Sequence, residues 1–285
     1  MVGPLLDNRV LAATAVTGGD IASSFRVVLD HPVGSTGAAT VFVKTHAAPP
    51  LDFFEAEAQG LRWLASAGAV RLPAVLAVSN TVLVLEWIDS GPASPGSDER
   101  LGRELAALHL AGAPMFGTAD HKTSNYVGRL PQDNTPTNSW PEFYATRRLE
   151  PLVRQAVDER RLPKHAISLL SSVCGRIDEL CGPPEPPARL HGDLWVGNRM
   201  TTANGDPVLV DPAAYGGHRE VDLAMMRLFG GFSSTVFGAY AEVAPLADGH
   251  EERVALYQLY PLLVHVLLFG GRYADQALGV MTRYA

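Results

Sequence analysis

Within the dozen residues "RLHGDLWVGNRM" (189–200), His191, Asp193 and Asn198 stand close together among glycines, and Asp211 follows thirteen residues after Asn198 in "VLVDP". Three oxygen-bearing side chains, two of them carboxylates, on loops between apolar runs suit a hard cation such as Mg²⁺. They also suit phosphoryl transfer, in which a metal neutralises phosphate charge and a carboxylate takes the proton of the attacking hydroxyl. In that chemistry Asp193 is the base, and Asn198 and Asp211 are the metal ligands. A competing reading is purely local, because Asp and Asn side chains also close turns by bonding to nearby backbone. What the rest of the chain supplies decides between them.

Upstream, Lys44 lies inside the alternating stretch "VFVKTH", with apolar neighbours on either side. A lysine buried there needs an anionic partner, and the helical stretch that follows offers Glu55 and Glu57. Paired with one of them, Lys44 would be held on nucleotide phosphates; unpaired, it would be a lysine snorkelling from an edge strand. The segment "TGGDIASS" (17–24) places Gly18 and Gly19 between two strands, where backbone N–H groups can approach phosphate oxygens. A plain hairpin turn accounts for it equally well, and it is neither G-x-G-x-x-G nor a Walker loop. "LEWI" (85–88) puts Glu86, Trp87 and Ile88 at a strand end, where backbone groups suit an adenine edge. In chain order these parts are a glycine loop, a strand lysine, a helix glutamate, a connection, H-x-D-L-x-x-x-N and a strand-ending aspartate. That is the order of parts in a protein kinase.

The elements that must position these residues divide the chain in two. Residues 10–30 and 40–46 alternate as strands, 52–68 carry helical spacing with Asp52 and Gly68 as candidate caps, and two more strands follow around a Ser79-Asn80 turn. The Gly/Pro/Ser stretch "SGPASPGSD" (90–98) reads as a linker. Beyond it come a helix (98–112), a long polar loop (115–138), helical stretches near 139–160 and 163–181, the polar motif, and four further helical runs. The expected fold is α+β and two-lobed, of protein-kinase-like type. Its N-lobe (1–88) is a small antiparallel sheet with one helix, and its C-lobe (89–285) is larger and mainly α.

Composition limits the function classes. The chain has 285 residues, 47% hydrophobic and 19% charged, with a net charge of −7. This is ordinary for a globular protein and offers no basic footprint for nucleic acid or an anionic membrane. Cys174 and Cys181, read as sharing one helical stretch, would lie roughly 10 Å apart along its axis, too far for a disulfide. No charged leader precedes an apolar run, and "LYPLLVHVLLFGG" (259–271) is too short to span a bilayer, so the expected location is cytoplasmic.

The blocks "LHGDLWVGN", "DPAAYGGHREVDLAM" and "LFGGF", with "TGGDIASSFRV", "VFVKTH", "FEAEAQGL", "LHLAG" and "LYQLYPLLVH", resemble the fructosamine kinase family, relatives of aminoglycoside and choline kinases, over nearly the whole chain. The tryptophan after Asp-Leu and the G-H-R-E-x-D-L-A run are its specific parts. The resemblance implies ATP-dependent phosphorylation of a ketoamine, usually at the sugar 3-hydroxyl, whether the acceptor is a small fructosamine or ribulosamine or a glycated amine or protein. The product then sheds its amine, so the reaction is a deglycation. It implies Asp193 as base, Asn198 and Asp211 as Mg²⁺ ligands, Lys44 as phosphate-binding lysine with Glu57 as its partner, and Glu86, Trp87 and Ile88 at the adenine. Substrate contacts are expected from Trp195, Tyr215, His218 and His265, although Trp195 could instead pack under the loop. His218 and Arg219 could equally make structural hydrogen bonds, and His265 could sit satisfied in a helix core. His191 and Asp222 read as structural, the latter as a loop anchor or helix cap. The family's eukaryotic members often carry a glycine-loop cysteine; "TGGDIASSF" has none, so no disulfide-linked dimer is expected. The alternatives are a kinase for an aminoglycoside or amino alcohol, and a non-catalytic nucleotide-binding relative.

Overall fold

The computed structural model describes residues 2–16, 22–34, 37–119 and 123–285. After a short helix α1 (Val2–Leu6), strands β1 (Val10–Val16), β2 (Ser23–Val33), β3 (Ala38–Thr45), β4 (Val75–Ser79) and β5 (Val82–Glu86) form one antiparallel sheet in the order β1-β2-β3-β5-β4. Val41 and Val43 of β3 face a small core with Val27, Leu29, Val82 and Val84. The period-two alternation of a strand therefore turns Phe42 and Lys44 to the opposite face. Lys44 pairs with Ser24 on one side and Leu83 on the other, so it occupies the centre of the sheet, not an edge.

Against that second face packs α2 (Phe53–Ala65), which buries Phe54, Ala58, Leu61 and Leu64. Glu57 lies one turn beyond Phe54 and one before Leu61, on the buried side, whereas Glu55 points away. The expected Asp52 cap does not form: Asp52 has left-handed backbone (φ 55°) and makes no side-chain cap hydrogen bond. Gly68, at φ +63°, donates its N–H to Ala65 and does close the helix end. The β4–β5 turn is Asn80-Thr81, one residue later than expected.

From α3 (Ser97–Leu110) onward the chain is mainly helical: α4 (Trp140–Phe143), a wide π-helical turn at 144–149, α5 (Glu150–Asp158), α6 (Ala166–Gly175), α7 (Ile177–Leu180), α8 (Glu220–Leu228), α9 (Ser234–Val243), α10 (His250–Phe269) and α11 (Arg272–Tyr284). Three short pairs of strands interrupt it. They are β6 (Ser124–Val127) with β7 (Leu130–Asp133), β8 (Ala188–Leu190) with β11 (Tyr215–Gly217), and β9 (Arg199–Thr201) with β10 (Pro207–Leu209).

Two expectations need correction here. The polar stretch 115–138 is not a plain loop but carries the β6–β7 hairpin. Cys174 and Cys181 do not share a helix, because α6 ends at Gly175 and Cys181 follows α7; both are free. Among the described residues no helix is long and apolar enough to cross a membrane.

Candidate active site

The loop after β8 carries the polar motif and is held from beneath. Asp222, fully buried in the first turn of α8, accepts the backbone N–H groups of His191 (2.7 Å) and Gly192 (2.9 Å). The same carboxylate takes His109 Nε2 at 3.2 Å, and His109 Nδ1 meets the Tyr240 hydroxyl at 2.8 Å. Asp222 is thus the loop's anchor, as its sequence context suggested. His191 is equally structural. Its Nε2 faces the Val210 carbonyl, which can only accept, so that nitrogen carries the proton and Nδ1 is left to accept the Asp193 N–H. Gly192 sits at φ +81°, and a Cβ there would lie 2.1 Å from the Ala213 carbonyl oxygen, so only glycine fits.

The hairpin β9–β10 explains the thirteen-residue spacing. Arg199 pairs with Leu209, which places Asn198 beside Val210 and brings Asp211 alongside the loop that holds Asp193. Asn198 Nδ2 donates to the Asp193 carbonyl (2.8 Å) and to Asp193 Oδ2 (3.2 Å). Asp211 has left-handed backbone (φ 55°), a conformation that Asp tolerates better than most residues. Its Oδ1 accepts Lys44 Nζ at 2.8 Å, and the same Nζ reaches Glu57 Oε1 at 2.7 Å. Glu55 instead accepts a hydrogen bond from Gln59 Nε2 at 3.1 Å, so the lysine's helix partner is Glu57. Burial alone would lower the Lys44 pKa, but the charges of Glu57 and Asp211 outweigh it and hold the ammonium protonated. The Asn198 amide nitrogen is committed to Asp193, which leaves its Oδ1, with the second Asp211 oxygen, as hard oxygens of the kind that would hold Mg²⁺.

Burial pushes the Asp193 carboxyl up to about 7, the neighbouring charges of Asp211 and Asp222 adding to the shift and the Asn198 hydrogen bond opposing it. A carboxylate poised near neutrality is matched to proton acceptance. It opens onto a pocket lined by Val127, Met225, Tyr260, Pro261 and His265. His265 Nδ1 lies 2.7 Å from the Pro261 carbonyl, so Nδ1 carries the proton and Nε2 is an acceptor. Trp195 is 39% exposed, with its indole lying over Gly197, where a Cβ would meet the ring at 2.2 Å, and its edge against Phe229.

Two expected substrate residues are not brought to this pocket. Tyr215 is fully buried, sandwiched against Phe143 and the Arg148 guanidinium. His218 is buried between Trp140 and Tyr257, accepts the Glu220 N–H and faces Glu185. Tyr215 lies in β11, whose pairing with β8 draws it into the core, and His218 follows directly behind that strand. Arg219 likewise forks onto Glu185 and the carbonyls of Ala244 and Pro245.

At the β5 end, the Glu86 carboxylate is taken by Arg71 and the Ala74 N–H, and its own N–H donates to the Ala74 carbonyl. Trp87 Nε1 donates to Asp89 and Ile88 is buried. Gly18 and Gly19 lie outside the described residues. Sequence reasoning missed Val127, Met225 and Tyr260 as pocket walls; only the unusual length of the 115–138 segment hinted that it had a task.

Comparison with known proteins places the chain in a family. The fructosamine kinase family model matches residues 6–285. A relative in Synechocystis sp., named a probable ketoamine kinase, is 38% identical over 278 residues, covering 94% of this chain and 88% of its own. The chloroplastic protein-ribulosamine 3-kinase of Arabidopsis thaliana is 34% identical over 257 residues, covering 87% of this chain and 77% of its own. A Thermobifida fusca crystal structure, provisionally named a fructosamine-3-kinase, matches with a TM-score of 0.89 at 42% identity, over 99% of this chain and 96% of that one. On the site and on these matches together, the chain belongs to the fructosamine kinase family, ATP-dependent phosphotransferases that act on a sugar hydroxyl.

Proposed function

We propose that this protein phosphorylates the 3-hydroxyl of a ketoamine sugar with ATP, with Asp193 as the base. One observation carries the reading: Lys44 joins Glu57 to Asp211, Asn198 joins Asp193, and the same Asn198 Nδ2 reaches the Asp211 carbonyl at 3.5 Å, so the nucleotide-side and acceptor-side groups form one connected set. Lys44, held by Glu57, binds the nucleotide phosphates. Asn198 and Asp211 hold Mg²⁺, which when bound neutralises charge on those phosphates. Strand end 86–88 receives the adenine through the backbone of Trp87 and Ile88, since the Glu86 N–H and carboxylate are already engaged.

On the acceptor side, the hydroxyl enters the pocket of Tyr260 and His265, where Asp193 Oδ takes its proton as the phosphoryl group transfers. The fixed Asn198 hydrogen bond orients that carboxylate, and the loop anchor at Asp222 holds its backbone. A phosphate placed at the 3-position of a ketoamine labilises the adduct toward loss of the amine, which makes the reaction a deglycation. A polycationic aminoglycoside would call for a more acidic acceptor wall than these apolar and aromatic residues provide. Substituting Asp193→Ala tests the assignment: phosphorylation falls by about 10³-fold or more while ATP binding, followed by calorimetry, is retained. Near-normal turnover in that variant would remove Asp193 from the chemistry.

A further inference from the structure

His265, which lines the acceptor pocket, is also set among aromatic rings that the phosphoryl chemistry does not use. The His265 ring contacts Phe229 and Tyr273, each at 4.9 Å between ring centres, and Phe269 at 5.4 Å. Trp195 meets Phe229 edge-on at 6.2 Å. Three of these rings face solvent: Phe269 is 55% exposed, Trp195 39% and Phe229 36%. This aromatic rim is built by four separate parts of the chain. The catalytic loop supplies Trp195, the end of α8 supplies Phe229, and the last turns of α10 supply His265 and Phe269. The left-handed Gly270-Gly271 turn then folds α11 back so that Tyr273 closes the far side. Exposed rings gathered from distant parts of a chain, contiguous with a pocket, are a recognition surface more than a folding requirement.

The acceptor's own connectivity shows what belongs there. In a ketoamine the reacting 3-hydroxyl and the amine nitrogen are separated by three carbons, so with the hydroxyl at Asp193 the nitrogen stands a few bonds away. His265 lines the pocket together with Asp193. A secondary amine is protonated at neutral pH and presents both N–H donors and positive charge. His265 Nε2 is an acceptor, because Nδ1 is committed to the Pro261 carbonyl, and the surrounding ring faces attract a cation. Resting on the ketoamine reading above, we propose that Trp195, Phe229, His265, Phe269 and Tyr273 form an amine subsite. It holds the ammonium nitrogen and an apolar or aromatic substituent on it. The enzyme's preferred acceptors are accordingly small ketoamines whose amine carries such a substituent.

The test compares two acceptors with the same sugar: N-benzyl fructosamine, which carries the amine and a ring, and 1-deoxyfructose, which carries neither. The wild-type protein is expected to favour the amine-bearing acceptor in kcat/KM by about tenfold or more. In Phe269→Ala, where the lost ring is largely exposed, that preference should shrink about three- to tenfold, through KM and not kcat. Phe229→Leu serves as a second variant with its bulk retained. An unchanged preference in both variants, or a wild type indifferent to the amine, overturns the subsite. A wild type that phosphorylates neither sugar overturns the ketoamine reading itself.

Discussion

Glu55 and Glu57 are two positions apart on α2, yet only Glu57 reaches Lys44, because two helical steps carry a side chain to the opposite face. Glu57→Gln should therefore raise the KM for ATP or lower kcat by about tenfold or more, with Glu55→Gln within about twofold of wild type. Steady-state kinetics at varied ATP would show it, and equal effects from the two would contradict the pairing. At this scale the grouping of Lys44, Asp193, Asn198 and Asp211 was legible, since each carries a chemistry that its neighbours do not, and the fold brings the four together. Tyr215 and His218 were misread because polar residues just after a catalytic aspartate look functional whichever way they point. Their direction is fixed by Tyr215 pairing with Leu190, a contact between segments twenty-five residues apart in the chain.

Between elements, the active loop depends on close backbone approach. Gly192→Ala would drive a Cβ into the Ala213 carbonyl oxygen at a left-handed backbone position. We expect a loss of roughly 2 kcal/mol or more in unfolding free energy, read from urea titration, with activity falling further than stability because Asp193 is the next residue. A variant of wild-type stability would show that the loop relaxes freely. The helices and the five-strand sheet were legible because apolar spacing dictates them. The β6–β7 hairpin was not, since its four-residue strands are secured less by an apolar pattern than by side chains. Asn125 and Gln132 donate to the carbonyls of Ala214 and Ala213, which ties the hairpin to the segment behind Asp211. Such long-range bonds leave no local periodicity.

Across the whole molecule, three histidines are held neutral by burial: His191, His265 and His218, the last pushed down to about 4. The unfolded chain binds a proton on each near pH 6.5, whereas the folded state resists it, so stability is present above that pH and declines as pH falls toward 4. His218 alone should contribute about 3 kcal/mol of that decline by pH 4, and His218→Gln should flatten the slope of unfolding free energy between pH 6.5 and 4. An identical slope in the variant would mean that His218 accepts a proton in the folded core. The two-part architecture was readable from the shift between alternating and helical spacing; the joint between its halves was not, because the Lys44–Asp211 pair spans residues that only the finished fold brings together. If this joint serves transfer to a ketoamine hydroxyl, ATP consumption assayed in parallel against a fructosamine, an aminoglycoside and choline will show turnover with the fructosamine, lost in Asp193→Ala, and phosphorus NMR will place the phosphate on the 3-oxygen. Turnover only with the aminoglycoside or choline would contradict it.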